Sequence, residues 1–469
     1  MTTYQDWLKV PDSDRERADF ARRVINQYKG TDGYRTAQTA YEYDRCRNVT
    51  TMQYQKLITD LSGRQYADQT ATVHRSTSNY LNIFTTQLNQ YLLGNGVSWK
   101  NNAGDKLGAD FDIRLQQAGK AALVGGVSFG FWNLDHLEVF KATEYAPLYD
   151  EETGALRAGV RFWQLDDTKP LRATLYEEDG YTGYLWANKD WKPDDSRWQA
   201  IDNNIFFRAK VPYKLRVSST EADGAEILAG ENYPSFPIVP LWGNPNRQSE
   251  LVGLREKIDA YDFILNGWED DLDNAQLYWI ISGAGGMDDP DLLQFLDRLR
   301  TVKAAAPMDG QSVTPVTVQI PVEAREQLLQ RLEKQLYRDA MIMNPEDIAN
   351  GAATATQIRA AYERQNVKAD QFEYCVHDFL RNVLKVAGIE DEATFTRSQM
   401  VNTQEEVQTV VMAASYLGSE YITRKILTLL GDGDQADEVL RAVDAEAAER
   451  LGGFGGQKEE EPEEEEQGQ

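Results

Sequence analysis

The sequence is poor in cysteine and histidine, the residues that most often hold structural metals. Its 469 residues include only 2 Cys and 3 His. Cys46 and Cys375 lie far apart in sequence, so no disulfide framework is expected and a reducing compartment is favoured. The isolated His and Cys residues do not have the ligand spacing of a zinc site. We therefore expect no metal centre.

The sequence also lacks long apolar runs, a basic leader and a phosphate-binding loop. No run approaches the ~18 apolar residues of a membrane span. The first residues, MTTYQDWLKV, have neither the basic start nor the apolar stretch of a signal peptide. We expect a soluble protein that is intracellular while it is made, with no membrane partner. Because no G-x-x-x-x-G-K-[ST] motif occurs, we expect no ATP-driven motor and no cofactor.

Basic charge is scarce. The chain has 75 Asp and Glu against 49 Lys and Arg, a net charge of −26. The segment from Lys458 to Gln469 holds seven Glu and one Lys, or −6, which leaves −20 on the rest. A protein that grips nucleic acid by releasing counterions needs clustered Lys and Arg. The charge therefore argues against that class, and it is compatible with a surface that keeps nucleic acid from sticking.

Apolar residues make up 41% of the chain and aromatic residues 10%, enough to bury the cores of two to four packed units. Helical spacing predicts helices over 79–92 and 107–124. Strands are predicted next, because FGFWNLDHLEVF, VRFWQL, RATLYEEDGYTGYLW and NIFFRAKVPYKLRV are aromatic and β-branched runs between turn residues. The sequence therefore predicts an α+β fold.

A helical hairpin is predicted after the strands. A heptad-spaced apolar seam predicts a first helix over 250–274. The seam consists of Leu251, Leu254, Ile258, Tyr261, Leu265, Trp268 and Leu272. The chain returns as a helix over 323–341, and short strands are predicted between the two helices in AQLYWIISGAGG and VTPVTVQIP. A helix over 356–386 and three shorter helices within 402–451 follow.

The returning helix carries a basic stripe, Arg331, Lys334 and Arg338, spaced i, i+3 and i+7. Such a stripe is most often a solvated or ion-paired face. Acids of the first hairpin helix are its natural partners, and they could pair with it between subunits if many hairpins stood side by side. These acids are Glu256, Asp259, Asp262, Glu269 and Asp270.

One motif matches an enzyme motif. Gly126-Val127-Ser128-Phe129-Gly130 fits the G-x-S-x-G elbow of serine hydrolases, with Ser128 as the nucleophile and His136 or His377 as the base. That elbow needs a strand before the serine and a helix after it, whereas here a helix comes first and a strand follows. We interpret the motif as a helix-to-strand turn and expect no enzyme, with a serine hydrolase as the alternative.

The order and spacing of several segments, over about residues 80–388, resemble the phage portal (head-to-tail connector) family. NYLNIFTTQLNQYLLGNGVSW resembles the family's early helix with its Leu-Leu-Gly stop. ATEYAPLYDEETGALRAGVRFW and LYEEDGYTGY resemble its wing strands. FPIVPLWGNPNRQSELVGLREKIDAYDFILNGWEDDLDNA resembles its Pro-Ile, Asn and Ser segment and the IDAYD helix. A different phage structural or adaptor protein that shares the hairpin stays open as an alternative.

The resemblance implies a portal-type α+β fold with a mixed wing domain, a two-helix stem, a small α/β clip insertion and a helical crown. The implied parts are the wing at 1–245, the first stem helix at 250–274, the clip at 275–321, the second stem helix at 322–342, a tunnel loop at 343–355, a long wing helix at 356–388, the crown at 389–455 and a disordered acidic tail at 456–469.

The resemblance also implies a location and partners. It implies a ring of twelve subunits at one capsid vertex of a virion, assembled in the host cytoplasm, through which double-stranded DNA passes without specific binding. The implied protein partners are the terminase motor, the major capsid or scaffolding protein and a head-tail adaptor. We expect the β-prone edges of the clip to pair across subunits and to form the surface that meets the motor and the adaptor.

The implied tunnel loop joins two long helices without a basic residue. Asn344 is a predicted N-cap with Pro345 at the first helical position, and Thr354 with Gln357 forms a predicted capping box. Glu346 and Asp347 are expected to form an acidic ring that keeps moving DNA centred and unbound. The expected tunnel-loop residues are Asn344, Glu346, Asp347, Asn350, Gly351 and Thr354.

Overall fold

The computed structural model forms two compact units. The structure describes residues 2–59, 63–67, 73–187, 191–193, 195–220, 226–274, 278–282, 290, 312–316, 322–347, 355–398, 403–430 and 436–443. Unit 1 consists of Met1–Met343 and Arg364–Ser398, and unit 2 consists of Asn344–Glu363 and Gln399–Gln469.

The helices predicted from the sequence are present, with ends within five residues of the prediction, and the structure adds helices before residue 79. They are α1 (Tyr4–Leu8), α2 (Asp14–Lys29), α3 (Asp32–Asp44), α4 (Val49–Gln53), α5 (Tyr80–Leu93), α6 (Gly104–Leu107), α7 (Phe111–Gly125), α8 (Arg255–Asn274), α9 (Val322–Ala340), α10 (Ala355–Ala387), α11 (Thr403–Met412) and α12 (Ser419–Leu430). The helix predicted over 107–124 is divided in two, because Gly108 has a φ of 88° and ends α6 before α7 begins.

The strands are β1 (Leu57–Thr59), β2 (Gln65–Ala67), β3 (Val97–Trp99), β4 (Val127–Asn133), β5 (His136–Lys141), β6 (Tyr145–Tyr149), β7 (Leu156–Trp163), β8 (Leu171–Glu177), β9 (Gly180–Trp186), β10 (Gln199–Asp202), β11 (Ile205–Val211), β12 (Lys214–Thr220), β13 (Glu226–Glu231), β14 (Ile238–Trp242), β15 (Tyr278–Ser282), β16 (Ser312–Val316) and β17 (Ala393–Phe395). The largest sheet has the order β10-β11-β9-β8-β7-β6, and its neighbouring strands are antiparallel. The prediction of an α+β fold with antiparallel strands is confirmed.

Helix α2 covers one face of this six-stranded sheet. Its buried residues Phe20 and Val24 share a core cluster with Leu148, Val160 and Leu175 of the strands. The exposed face of α2 is charged, so the helix has the one-sided apolar stripe of a surface helix. The N-terminal segment is therefore an integral layer of unit 1.

A smaller sheet, in the order β14-β4-β5, packs against the second half of α10. Gly130 of β4 lies directly under Phe379, since a Cβ at Gly130 would stand 2.5 Å from the ring atom Cζ. Phe372, Phe379 and Val383 of α10 are buried. The long helix is thus anchored in the core of unit 1 from its middle onward.

The hydrolase alternative is wrong, because Ser128 lies inside this core. Gly126, with a φ of 85°, turns the chain from α7 into β4, and a Cβ there would stand 2.9 Å from the backbone nitrogen of Ser249. The Ser128 side chain is fully buried, and its Oγ donates to the carbonyl oxygen of Ala118 at 2.8 Å. A nucleophilic serine needs an exposed hydroxyl, and Ser128 has none.

The segment after α10 is attached to the segment around β3. Strand β17 pairs with β3, and the carboxylate of Asp391 accepts the backbone N–H groups of Asn101 and Ala103, both at 2.8 Å. Residues 389–398 therefore belong to unit 1, and the crown implied at 389–455 stays a prediction.

In unit 2, α11 and α12 are followed by a helix at 436–443. Arg424 of α12 contacts Glu420 at 3.2 Å and Asp437 at 2.7 Å, which joins α12 to that last helix. Three short helices were predicted within 402–451, and the described residues contain them. The acidic tail predicted at 456–469 lies outside the described residues.

Strands β15 and β16, from the insertion between α8 and α9, pair with each other in antiparallel register, with Trp279 opposite Pro315. The sequence expectation was that these segments pair across subunits. Within this chain each gives one edge to the other, so only their outer edges stay available for that role.

Candidate functional site

The predicted hairpin is present as an antiparallel pair, α8 and α9. Lys257 Nζ lies 2.7 Å from Asp339 Oδ2 at one end of the pair, and Arg325 Nη2 lies 2.5 Å from Asp271 Oδ2 at the other. The hydrogen bond from Lys257 lowers the pKa of Asp339. These two ion pairs, together with the buried Leu336, fix the register of the hairpin within one chain.

The apolar seam predicted for α8 is fully buried only at its N-terminal end. Leu251, Leu254 and Ile258 are buried, whereas Leu272 at the far end is 58% exposed. In the second half of the helix the buried side chains are polar instead: Asp262, Asn266 and Asp270. These residues are spaced i, i+4 and i+8, so they form one face of α8.

A strap formed by residues 73–79 covers this polar face. The backbone N–H groups of His74, Ser76 and Ser78 donate to Asp270 Oδ1 at 2.8 Å, Asn266 Oδ1 at 2.7 Å and Asp262 Oδ1 at 2.9 Å. Alternate residues of an extended chain are spaced by about 6.6 Å, and every fourth residue of a helix by about 6 Å. Because the two spacings match, the strap donates one backbone hydrogen bond to a side chain of α8 in each helical turn.

Asp262 is the most enclosed acid of this face. It also accepts hydrogen bonds from Asn48 Nδ2 at 2.5 Å and from Thr51 Oγ1 at 3.2 Å, beside the start and first turn of α4. Burial raises the pKa of the Asp262 carboxyl, and the hydrogen bonds oppose that rise only in part. The carboxylate is thus a structural hub that joins α4, α8 and the strap.

The structure gives most of the hairpin acids partners within their own chain. Asp259 accepts hydrogen bonds from Tyr43 Oη at 2.5 Å and Thr50 Oγ1 at 2.8 Å, and Glu269 accepts one from Ser76 Oγ at 2.9 Å. Asp259, Glu269 and the buried Asp262 and Asp270 are therefore bound within their own chain. Asp262 is fully buried in the single chain, and pairing of these acids between subunits stays a prediction.

Glu256 is the exception among the predicted acids. It is exposed on the first turn of α8, and it makes no ion pair among the residues that the structure describes. It lies beside a cavity of about 260 Å³ lined by Arg35, Thr36, Thr39, Leu251, Val252, Gly253 and Arg255. Glu256 stays available to a neighbouring molecule.

The basic stripe of α9 is exposed as predicted. Arg331, Lys334 and Arg338 all lie on the solvent side of the helix. Arg338 contacts Asp339, the next residue, at 3.3 Å. Within the described part of the chain, Arg331 and Lys334 form no ion pair, and none of the five predicted acids of α8 pairs with the stripe.

The loop that follows α9 begins as predicted. Asn344 Oδ1 accepts a hydrogen bond from the backbone N–H of Glu346 at 3.1 Å, and residues Pro345–Asp347 form one turn of 3₁₀-helix. Glu346 is exposed. Asn350, Gly351 and Thr354 lie outside the described residues, and so does the predicted capping box.

Sequence inspection missed the residues that hold the root of this loop. Lys368 Nζ donates to the carbonyl oxygen of Ala340 at 2.7 Å, and it lies 2.5 Å from Glu250 Oε2. Gln365 Oε1 accepts the backbone N–H of Met343 at 3.0 Å. These side chains lie on the turns of α10 where it joins unit 1. The one available signal was their i, i+3 spacing on a predicted long helix.

Among the described residues there is no cluster of three or more His, Cys, Asp or Glu side chains that could hold a metal ion. Nor is any described helix both long and apolar enough to cross a bilayer.

Sequence comparisons point to one family. The model of the family described as phage portal protein, SPP1 Gp6-like, matches residues 21–450. The portal protein of Clostridium phage phiCD119 is 24% identical over 240 residues, which cover 48% of this chain and 53% of that protein. The portal protein of Bacillus phage SPP1 is 23% identical over 393 residues, which cover 76% of this chain and 73% of that protein. The chain thus spans about half the length of the first of these relatives.

Solved structures include similar chains in gene transfer agent (GTA) particles. A chain in the neck of an empty GTA particle has a TM-score of 0.42 at 12% identity, over 74% of this chain and 89% of that chain. A chain in the virion of a native GTA particle has a TM-score of 0.42 at 13% identity, over 75% of this chain and 88% of that chain.

Proposed function

The chain belongs to the phage portal protein family, SPP1 Gp6-like, and we propose that twelve copies form a ring through which double-stranded DNA passes during genome packaging and ejection. As a member of this family it is a structural component of the virion, at the capsid neck, and not an enzyme. The observation that carries the proposal is the family match over residues 21–450.

We assign the parts of the ring subunit as follows. The wing contains residues 1–245 and the part of α10 that belongs to unit 1, and the stem is the hairpin of α8 and α9. The clip is the insertion at 275–321, supported by its own strand pair β15 and β16. The tunnel loop is 343–355. The crown is the helical part after Ser398, because residues 389–398 belong to unit 1 and strand β17 within them pairs with β3.

Neighbouring stems meet through the basic stripe. Arg331 and Lys334 are exposed on α9 without an ion-pair partner among the described residues, and Glu256 is exposed on α8. An isolated exposed ion pair contributes only about 0–1 kcal/mol. Ring symmetry, however, repeats each pair at every interface. Arg331 and Lys334, which form no ion pair among the described residues, are thus suited to a contact that only assembly completes.

The tunnel loop meets DNA by shape and repels it by charge. Glu346 is exposed directly after the Asn344 cap, and Asp347 follows it in the same turn. A ring of such turns lines a passage with carboxylates that do not bind phosphate, so DNA slides without a fixed register. The overall charge of −26 supports the same role.

The partners follow from the position in the virion. The outer edges of β15 and β16 give the clip a surface to which the terminase motor, and later a head-tail adaptor, attach. The major capsid or scaffolding protein contacts the wing during assembly in the host cytoplasm.

Native mass spectrometry and negative-stain imaging of the purified full-length protein test the proposal. We expect closed rings whose mass is twelve times that of the 53.2 kDa subunit. A chain that stays monomeric or dimeric under all assembly conditions, and that is absent from purified virions, would overturn the proposal.

A further inference from the structure

The tunnel loop and the first turns of α10 form an excursion of the chain out of unit 1. The chain leaves unit 1 after Met343 and returns to it at Arg364. Residues 344–363 are thus attached to unit 1 at two points that lie close together. The groups that hold these two points decide how firmly the excursion is rooted.

Two glutamine side chains bind both backbone groups of Met343. The Met343 N–H donates to Gln365 Oε1 at 3.0 Å, and the Met343 carbonyl oxygen accepts from Gln87 Nε2 at 3.0 Å. Gln87 Nε2 is also 3.4 Å from Gln365 Oε1, so the three residues form a closed set. Met343 is 6% exposed and Gln365 is 1% exposed. A buried backbone N–H with a single side-chain acceptor depends on that acceptor.

Lys368 holds the end of α9 a few residues earlier. Its ammonium donates to the Ala340 carbonyl oxygen, one of the last carbonyls of the helix, where a cation is favourable. Its ion-pair partner Glu250 lies just before α8 and also accepts from Asn244 Nδ2 at 2.9 Å. Lys368 thus joins the wing ends of both hairpin helices to α10.

The end of α9 is itself a fixed turn. Met341 has a φ of 56°, and the N–H of Ile342 donates to the Tyr337 carbonyl oxygen at 3.1 Å. This is the hydrogen bond of a Schellman motif, with Met341 in the left-handed position that usually holds glycine. The turn directs the chain from α9 to Met343 along a defined path.

We propose that Gln87, Gln365 and Lys368 form a clamp that positions the root of the tunnel loop against the wing, and that Gln365 is its central positioning residue. The inference rests on the proposed function, because the position of the loop has consequences only if DNA passes it. Since the clamp holds both attachment points of the excursion, the loop keeps its place while the DNA moves. Without the clamp the loop yields to the DNA and no longer centres it.

Two substitutions at one position, with a control on the same helix, test the clamp. Gln365→Met keeps the length of the side chain and removes the acceptor for the Met343 N–H. Gln365→Glu keeps an acceptor oxygen and is the conservative rescue variant. Gln371→Met makes the same change at an exposed position of α10. Gln87→Met, which removes only the donor to the Met343 carbonyl, replaces Gln365→Met if that variant does not fold.

Hydrogen exchange on assembled protein measures the clamp directly. We expect Gln365→Met to raise the exchange rate of the Met343 amide by about tenfold to hundredfold, because a buried N–H loses its acceptor. We expect Gln371→Met and Gln365→Glu to leave that rate near the wild-type value. An unchanged Met343 amide in both Gln365→Met and Gln87→Met would overturn the clamp.

Packaging of DNA into particles assembled with the same variants tests the positioning role. We expect Gln365→Met to form rings of normal mass that give fewer DNA-filled particles, with recovery in Gln365→Glu. Faster exchange at Met343 together with wild-type packaging would overturn the positioning role. The proposed function fails in a different way, namely if the wild-type protein forms no ring or is absent from DNA-filled particles, whatever the exchange data show.

Discussion

Removal of the Asp262 carboxylate should destabilise the subunit far more than removal of an exposed acid from the same helix. Asp262 accepts from the Ser78 backbone N–H, Asn48 Nδ2 and Thr51 Oγ1. Its side chain is fully buried at the point where α8, α4 and the strap meet. Asp262→Ala leaves these donors without their acceptor.

The magnitude follows from the groups left unpaired. Each buried donor without an acceptor costs about 1–3 kcal/mol. The loss is partly offset, because the raised pKa of Asp262 shows that burial of its charge is itself costly. We therefore expect Asp262→Ala to lower the free energy of unfolding by about 2–4 kcal/mol. Asp262→Asn keeps one acceptor oxygen, so it should lower it by only about 1–2 kcal/mol.

The control is Asp271→Ala, nine residues further along α8. Asp271 forms an ion pair with Arg325, but about half of its side chain is exposed, so its loss should cost about 0–1 kcal/mol. Urea unfolding of unassembled subunits measures all three variants under one condition. If Asp262→Ala costs no more than Asp271→Ala, the strap does not hold α8 and this reasoning fails.

The pH dependence has a definite sign. The folded-state pKa of Asp262 is raised above its ordinary value of 3.8, mainly by burial. At pH values between the unfolded-state and folded-state pKa of Asp262, the folded protein binds one more proton than the unfolded protein. The ionised carboxylate therefore lowers the free energy of unfolding at pH values above its folded-state pKa, and this loss disappears below pH 3.8. The stability of the wild type relative to Asp262→Asn should therefore rise as the pH falls through that range. A constant difference between the two proteins would contradict the shift.

Two further predictions concern assembly and DNA. Reversal of Arg331, Lys334 and Arg338 to Glu should weaken the ring in sedimentation experiments. The free energy of unfolding of the free subunit should change by less than about 1 kcal/mol, because the stripe is exposed. Normal rings that package DNA poorly would instead place the stripe in the tunnel. Replacement of Glu346 and Asp347 by Lys should leave the rings intact. It should slow packaging, most strongly at low salt, because the new lysines contact DNA phosphates. Packaging at the wild-type rate at every salt concentration would show that the loop does not meet DNA.

Helix ends that depend on residues close in sequence, such as a glycine stop or an N-cap, could be predicted from the sequence. Helix α10 ends at Gly388, whose φ of 72° accompanies a hydrogen bond from the Ile389 N–H to the Leu384 carbonyl oxygen. Such a stop needs only a glycine after an apolar period, so it is visible without a structure. The Asn344 cap was predictable for the same reason, because its partner, the N–H of Glu346, is only two residues away.

The partner of the polar face of α8 could not be predicted from local signals. The strap has the sequence VHRSTSN, which has no helical or strand period, and it pairs with residues about 190 positions later. The hydrogen bonds that recur at every second strap residue come from its backbone, so they leave no periodic pattern in its side chains. The spacing of apolar residues therefore predicted that Leu265 and Trp268 lie on the buried side of α8. In the structure the buried side chains of this part of the helix are instead Asp262, Asn266 and Asp270.

A similar limit applies to the root of the loop. Gln365 and Lys368 look like ordinary polar residues of a long helix, and neither residue type marks a buried contact. Their roles depend on the left-handed turn at Met341, which brings the backbone of Met343 beside α10. A non-glycine residue with positive φ gives no warning in the sequence.

The division of faces on the hairpin limits how stems can meet. The sequence analysis predicted ion pairs between the three basic residues of α9 and five acids of α8 in a neighbouring subunit. In the structure Asp259, Asp262, Glu269 and Asp270 are bound within their own chain, which leaves Glu256 from that set. Arg338 already contacts Asp339 in its own chain, so Arg331 and Lys334 are the stripe bases without an ion pair among the described residues. Pairing with Glu256 alone leaves one of these two positive charges uncompensated. That surplus, within a chain of net charge −26, must be met by acids outside the set or be directed at the DNA. The salt dependence of ring stability separates the two, because neutralised pairs weaken with salt whereas a surplus of like charges is relieved by it.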